Sequence, residues 1–457
     1  MKREADQLVA ALGQPVQSRR DLLRRCLFGG AGLMLLDGWG LRTLAATRPA
    51  HATSVIQIWM WGGPAHLDTF DPKPGAGYDY CGPLDRPLAT NVTGIRIGQL
   101  LPQLAKNADK YAIVRSLTHG INGHETAAYT VQTGQPPGGR DVFPSAGAVV
   151  SLFRGYDAGY QGLIPPYIVL TQPQGRFSEA GFLGNRYKPF ATGGDPAKTP
   201  FAVEGVVAPG VTEKRQHTRR TLLERLNTLG RSLHGHASLN PFYASQQQAY
   251  ELILGDAGKL FDLSTEADAL RDRYGRNTFG QSCLMARRLV EKGVPYITIN
   301  YKGWDTHKQH FQIMNRKLPE LDQGMATLLE DLSDRGLLAS TLLWWSGEFG
   351  RTPKILWDAP WNGGRNHYGQ VFSAVLAGGG FRGGHVVGSS TSRGEEVQER
   401  PVHPAEVIAS IYELVGIDPH ATLPHPQGNI IPAMPVNSRP PTTPGRLLEI
   451  MPAPTRA

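Results

Sequence analysis

The sequence predicts an α/β protein built on a mostly parallel sheet with helices on both faces. Three observations lead there. Short apolar runs recur with almost no polar alternation, the pattern of strands buried on both faces. Between them lie segments with apolar residues at helical spacing. The chain has 457 residues, 40% hydrophobic and 19% charged, enough for a large core in an ordinary globular composition.

The first 52 residues read as a targeting segment. Ser18–Leu23, "SRRDLL", is a twin-arginine pattern, an apolar stretch follows, and Ala50-His51-Ala52 fits a small-x-small cleavage site. The expected arrangement is a signal peptide over 1–52 and a single domain over 53–457, periplasmic or secreted. The segment holds eight Lys/Arg and four Asp/Glu, so its removal lowers the net charge from +8 to +4. That excess is small, and no dense basic run with interleaved aromatics occurs, which argues against a nucleic-acid partner. No later stretch is apolar and long enough to span a bilayer. Cys26 lies in the signal. Cys81 and Cys283 remain, either paired or as buried thiols, and two cysteines exclude a cysteine-based metal site.

The elements then follow in order. "SVIQIWMWGG" (54–63) is a strand ending in glycines, and "IGQLLPQLAKNADKY" (97–111) reads as an amphipathic helix. "AIVRSL" (112–117) is a strand, "HETAAYTVQTG" (124–134) a short helix closed by glycine, and "PPYIVL" (165–170) a strand. Residues from about 172 to 215 are rich in Gly, Pro and polar types and read as a long surface excursion. Helices are expected over 212–230, 240–255 and 278–293, and a strand over 294–300. A helix over 318–336, strands over 341–347 and 371–379, and a helix over 403–416 complete the pattern.

In such sheets ligands sit beyond the carboxyl ends of the strands, so the residues just past each strand matter most. They are His66, Asp68 and Asp71; then His119, His124, Glu125 and Thr126; then Asp305 and His307; then Glu348 and Arg351; and finally Arg365 and His367. Singly, each has an ordinary reading as a turn former, a helix cap or a packing residue. Together, at five strand ends, they point to one shared polar site. Carboxylates and imidazoles suit a divalent metal of the zinc, manganese or iron kind, and arginine suits an oxyanion.

The segments "GGPAHLDTFDPKP", "RSLTHGINGHETAAYTVQTG", "GWDTH", "SGEFGRTP" and "GRNHYG" closely resemble an uncharacterised family of exported bacterial proteins. Its members carry twin-arginine signals, are loosely labelled sulfatase-like, and are placed in the alkaline phosphatase superfamily. The resemblance covers nearly the whole chain after the signal. It implies an alkaline-phosphatase-like fold with metal at the strand ends and a nucleophile attacking phosphorus or sulfur. By position, Asp305 and His307 look like the superfamily's late Asp/His pair, Glu348 stands at the acidic position of its Asp-His turn, and His367 looks like the last ligand histidine. Phe349 occupies the turn's histidine position, and the first strand lacks its terminal Asp, leaving Asp68 further along the loop. Ten residues before Gly134, where sulfatases carry their nucleophile, stands His124. Thr126 is the nearest hydroxyl.

The expectation is therefore a metal-dependent hydrolase of sulfate or phosphate esters. Asp68, Asp305, His307, Glu348 and His367 are the expected metal ligands, for one divalent ion or two. His124 and Thr126 are expected at the reacting face, with Arg351 and Arg365 holding the anion. The expected substrate is an anionic small-molecule or glycan ester. The alternative is a binding or envelope-assembly protein that keeps the fold without the chemistry.

Overall fold

The computed structural model describes residues 49–173, 179–203, 257–435 and 445–453, with isolated positions between 206 and 221. All belong to the unit Arg48–Ala457. Eight strands form the main sheet: β1 (Ser54–Trp59), β2 (Tyr111–Leu117), β3 (Tyr167–Leu170), β4 (Phe190–Ala191), β5 (Tyr296–Asn300), β6 (Thr341–Ser346), β7 (Phe372–Ala377) and β8 (Val386–Val387). Their spatial order is β8-β2-β7-β6-β1-β5-β3-β4. Every pairing is parallel except those of β7, which runs against both β2 and β6. The mostly parallel sheet expected from the sequence is the one observed. Strands β1, β5, β6 and β7 are buried at every position, which is why they read as unbroken apolar runs.

Side-chain alternation assigns the two faces. Ile56 and Ile58 enter a core shared with Leu284 and Leu289 of α3 (Thr278–Glu291) and Leu321 and Leu328 of α4 (His310–Asp334). On the opposite face, Gln57 donates from Nε2 to Gln132 Oε1 of α1 (His124–Thr133) at 3.2 Å. That face also carries α2 (Ala146–Arg154), packed on β3 and β5, and α5 (Pro404–Leu414), packed on α1. Helices therefore cover both faces. Asn277 caps α3 by accepting from Gly280 N–H, and Pro404 opens α5 where a missing N–H costs nothing.

Several elements differ from expectation. The segment 97–111 forms only a four-residue helix, Pro102–Ala105, and a 3-10 turn, Ala108–Lys110. Leu101, preceding the proline, is held out of helical backbone, and the two free N–H groups of Gln103 and Leu104 are capped from α4 by Asp322. Helix α4 begins at His310, eight residues before the expected start, and runs through Pro319. The excursion after β3 contributes the edge strand β4. The helices expected over 212–230 and 240–255 lie almost wholly outside the described residues, as does nearly all of the signal segment. His51 and Ala52 donate their N–H groups to Leu414 O, so the chain joins the fold two residues before the expected domain start. Cys81 and Cys283 are both buried and unbonded to each other. Among the described residues, no helix is long and apolar enough to cross a membrane.

Candidate metal centre

The register of the central strands builds the site. Trp59 of β1 pairs with Asn300 of β5 and with Ser346 of β6, so three parallel strands end level and their exit loops start side by side. Leu117 of β2 pairs with Phe372 of β7. Because β7 is antiparallel, the residues before it arrive at the same edge, which is how His367 reaches the site. Gly62 lets the loops touch. Its φ is 112°, and a Cβ there would lie 2.2 Å from Asp305 N, a conformation and approach open only to glycine.

Four side chains meet at this edge. His367 Nε2 lies 3.1 Å and His307 Nε2 3.0 Å from Asp305 Oδ1, and the two nitrogens are 2.9 Å apart. His124 Nε2 lies 3.3 Å from Asp305 Oδ2. Ligand atoms of His124, Asp305 and His367 all fall within 4.8 Å of one another. Each imidazole is held from behind by an acceptor at Nδ1. Glu348 Oε1 is 2.7 Å from His124, Asn366 Oδ1 3.0 Å from His307, and the Asn122 carbonyl 2.8 Å from His367. An acceptor at Nδ1 places the proton there and leaves the Nε2 lone pair pointing into the cluster. This back-side support is the arrangement found for metal-ligating histidines.

The crowding of acceptors tests the fit of a cation. The Nε2 lone pairs of His307 and His367 and the Asp305 carboxylate stand 2.9–3.1 Å apart, so they repel unless a positive centre lies among them. A zinc-sized ion bonded to nitrogen at about 2.0–2.1 Å would space tetrahedral ligands by roughly 3.3 Å, close to the separations found. The nitrogen and oxygen donor set suits such an ion.

Electrostatics agrees. Burial disfavours the Asp305 charge, but the Arg351 guanidinium, with His367 and His307, outweighs it and holds the carboxyl at about 2. Burial lowers His367, keeping it neutral and able to ligate. Burial raises the Glu348 carboxyl, while its hydrogen bond raises His124. The two share one proton. It belongs on His124 Nδ1, because both Glu348 oxygens also accept from Gly62 N–H, at 2.9 and 3.2 Å.

The structure distributes the remaining expected residues differently. Glu348 is fully buried and faces His124 from behind rather than from the shared point. Asp68 is not part of the cluster. It is buried in an ion triad, with Arg365 Nη2 at 3.3 Å from Oδ1 and His310 Nε2 at 2.7 Å from Oδ2. Arg365 also donates to the carbonyls of Tyr80, Thr352 and Pro353. Arg351, equally buried, donates to Asp305 Oδ1 at 2.5 Å and to the carbonyls of Gly62, Gly63 and Arg365. Both guanidinium forks, expected to hold an anion, are consumed by protein oxygens. Thr126 is exposed, and its hydroxyl folds back to donate to Gly123 O.

His66 and Asp71 belong to a separate buried group. Asp71 accepts from Ser390 and pairs with Lys73, and His66 contacts Gly394 O. His119 accepts from Ile121 N–H at Nδ1 and therefore donates from Nε2 to Glu348 O at 2.7 Å. Burial drops its pKa to about 4, so a neutral ring anchors the Glu348 turn. Sequence reasoning missed Asn122, Asn366, His310 and the flanking indoles. The first two lie inside "THGINGHET" and "GRNHYG", beside the histidines they orient. Trp61 stacks on His124 with centroids 5.7 Å apart, and Phe349 stacks on His367 at 4.5 Å.

A mostly parallel α/β sheet with an imidazole and carboxylate cluster at its carboxyl edge defines the class, an α/β protein with a candidate divalent-metal centre. The chain belongs to the family described as protein of unknown function (DUF1501), whose model matches residues 52–438. No curated protein matches it. Among solved structures it is similar to a protein in the alkaline phosphatase superfamily from Vibrio parahaemolyticus, with TM-score 0.39 and 10% identity over 81% of this chain and 69% of that one. It is similar to the PsFucS1 sulfatase from Pseudoalteromonas sp., with TM-score 0.33 and 13% identity over 83% and 71%. A zinc complex of the C-terminal periplasmic domain of EcEptC from Escherichia coli gives TM-score 0.36 and 10% identity over 82% and 87%. Likeness at this level assigns no activity.

Proposed function

We propose that the protein is an exported, metal-dependent hydrolase of sulfate or phosphate esters with an alkaline-phosphatase-like domain. One observation carries this reading: three imidazole Nε2 atoms, each oriented through Nδ1, converge on the Asp305 carboxylate at a solvent-accessible strand edge. His124, Asp305, His307 and His367 would hold the ion. A divalent ion held there supplies Lewis acidity toward an ester oxygen and toward water. The chain's own residues prepare the site. Glu348 fixes the His124 tautomer, Arg351 fixes the Asp305 rotamer, and Trp61 and Phe349 stack on the His124 and His367 rings.

Water is the nucleophile of this reading. Among the described residues, no Ser, Thr or Cys side chain hydrogen-bonds to His124, Asp305, His307 or His367, and the Thr126 hydroxyl is turned onto its own helix. Export by the twin-arginine route to the periplasm or beyond is proposed from the "SRRDLL" segment.

The test is a metal count by mass spectrometry on protein purified without chelator or histidine tag, joined to a panel of aryl phosphates and sulfates. Near-stoichiometric metal and turnover are expected, both lost in His307→Ala. A second reading, a ligand-binding or envelope-assembly protein, is favoured by the missing nucleophile and the two sealed arginines. It predicts a silent panel even with metal fully restored.

A further inference from the structure

With Arg351 and Arg365 both sealed, any side-chain cation that meets an anionic substrate beside the ion is a different one. Lys308 follows His307 directly, is exposed, and has no acidic partner within 4.0 Å among the described residues. Its Nζ lies 6.0 Å from the centroid of Trp361, within the range of a cation over an aromatic face. The Trp361 ring is itself 6.5 Å from that of His307 and only half-buried.

The tryptophan loop is firmly placed. Gln309 N–H donates to Trp361 O at 3.1 Å and Arg365 N–H to Thr306 O at 3.1 Å. A Cβ on Gly364 would lie 1.7 Å from His307 O, so the two loops run in direct backbone contact. A cation and a firmly placed apolar ring face therefore stand together beside the cluster.

We infer that Lys308 and Trp361 form the recognition subsite for an anionic ester of a ring-shaped alcohol, a sugar or a phenol. The Lys308 ammonium leaves the ring to take the negative charge, and the Trp361 face it uncovers takes the flat side of the substrate ring. The inference rests on the hydrolase reading for the bond that is cleaved, but binding tests it independently.

Isothermal titration of the metal-loaded full-length protein with the non-hydrolysable phosphonate analogues of phenyl phosphate, glucose 6-phosphate and ethyl phosphate measures Kd without turnover. Lys308→Met is expected to weaken all three about fivefold, the order of one exposed charge pair, and Lys308→Arg to restore them to within about twofold of wild type on the same charge argument. Trp361→Ala is expected to weaken the two ring-bearing anions about tenfold and to leave the ethyl analogue nearly unchanged. The tighter of the phenyl and glucose analogues on wild type tells phenol from sugar. Circular dichroism confirms folding of each variant, and exposed Lys308 keeps the test alive if Trp361→Ala fails to fold. Wild-type binding of none of the probes, or Kd values unmoved by Lys308→Met, overturns the subsite. Lys308-dependent binding with a silent hydrolysis panel supports the subsite while removing the hydrolase reading.

Discussion

Glu348 stands behind His124, with Oε1 2.7 Å from Nδ1, while the Nε2 edge of the same imidazole looks into the cluster. The carboxylate therefore acts through histidine orientation. Glu348→Gln keeps the shape but presents an amide where two oxygens now accept from Gly62 N–H. Metal affinity is expected to fall about ten- to a hundredfold, the usual cost of losing such a supporting group, with the fold intact. Competition against a chelating dye measures it. Unchanged affinity would mean that Glu348 does not orient the imidazole.

Asp68 leads to the opposite expectation. It neutralises Arg365 in the interior, and both side chains are essentially without solvent contact. Asp68→Asn leaves a guanidinium unpaired in a low-dielectric setting and is expected to cost about 3–5 kcal/mol of stability. Metal stoichiometry should not move, because Asp68 lies outside the cluster. Urea unfolding and a metal count on the same preparation separate these outcomes. Loss of metal from well-folded Asp68→Asn would return Asp68 to the ligand set.

The sheet was legible because its strands are buried on both faces. "SVIQIW", "YITIN" and "TLLWWS" could hardly be anything else. The strand-exit rule also found Asp305, His307, His367 and His124, since a parallel sheet brings all its exits to one edge. Facing was not legible. Whether Glu348 looks into the cluster or supports it from behind depends on Gly62, 286 positions away. Whether Arg365 meets a substrate or a carboxylate depends on Asp68, 297 positions away. The early start of α4 was hidden by Pro319, which reads from sequence as a first-turn residue.

Arg351 offers a third test. Its fork reaches Asp305 Oδ1 and three backbone carbonyls at once, which an ammonium cannot imitate. Arg351→Lys is expected to lower stability by about 2–4 kcal/mol through unsatisfied buried acceptors. Metal affinity should fall as well, because Asp305 loses its fixed rotamer. Asp68→Asn shares the first effect and lacks the second, so the two variants side by side distinguish general destabilisation from damage to the site. An Arg351→Lys protein that binds metal as tightly as wild type would separate Arg351 from the cluster.

Lys317 supplies a pH dependence. It lies in α4 beneath the 301–305 loop, with Nζ 2.7 Å from Lys302 O and 4.0 Å from the centroid of Tyr301. Burial lowers its pKa to about 8, below the unfolded value of about 10.4. Between those limits the unfolded chain holds more protons than the native one, so this group makes stability rise with pH. Below about pH 8 the native state carries the full cost of the buried charge, on the order of 3 kcal/mol, offset in part by the carbonyl and the ring. Lys317→Met keeps the stem and removes the charge. It is expected to be about 1 kcal/mol more stable than wild type at pH 7, since replacing a buried charge by an apolar isostere is often stabilising. That advantage should vanish at about pH 9 and reverse, leaving wild type more stable by about 1–2 kcal/mol at pH 10, as the native Lys317 sheds its proton while the unfolded chain keeps its own. Urea midpoints for both proteins across this range give the comparison, and titrations common to both cancel in the difference. A constant gap between the two curves would show that Lys317 stays charged in the folded protein throughout.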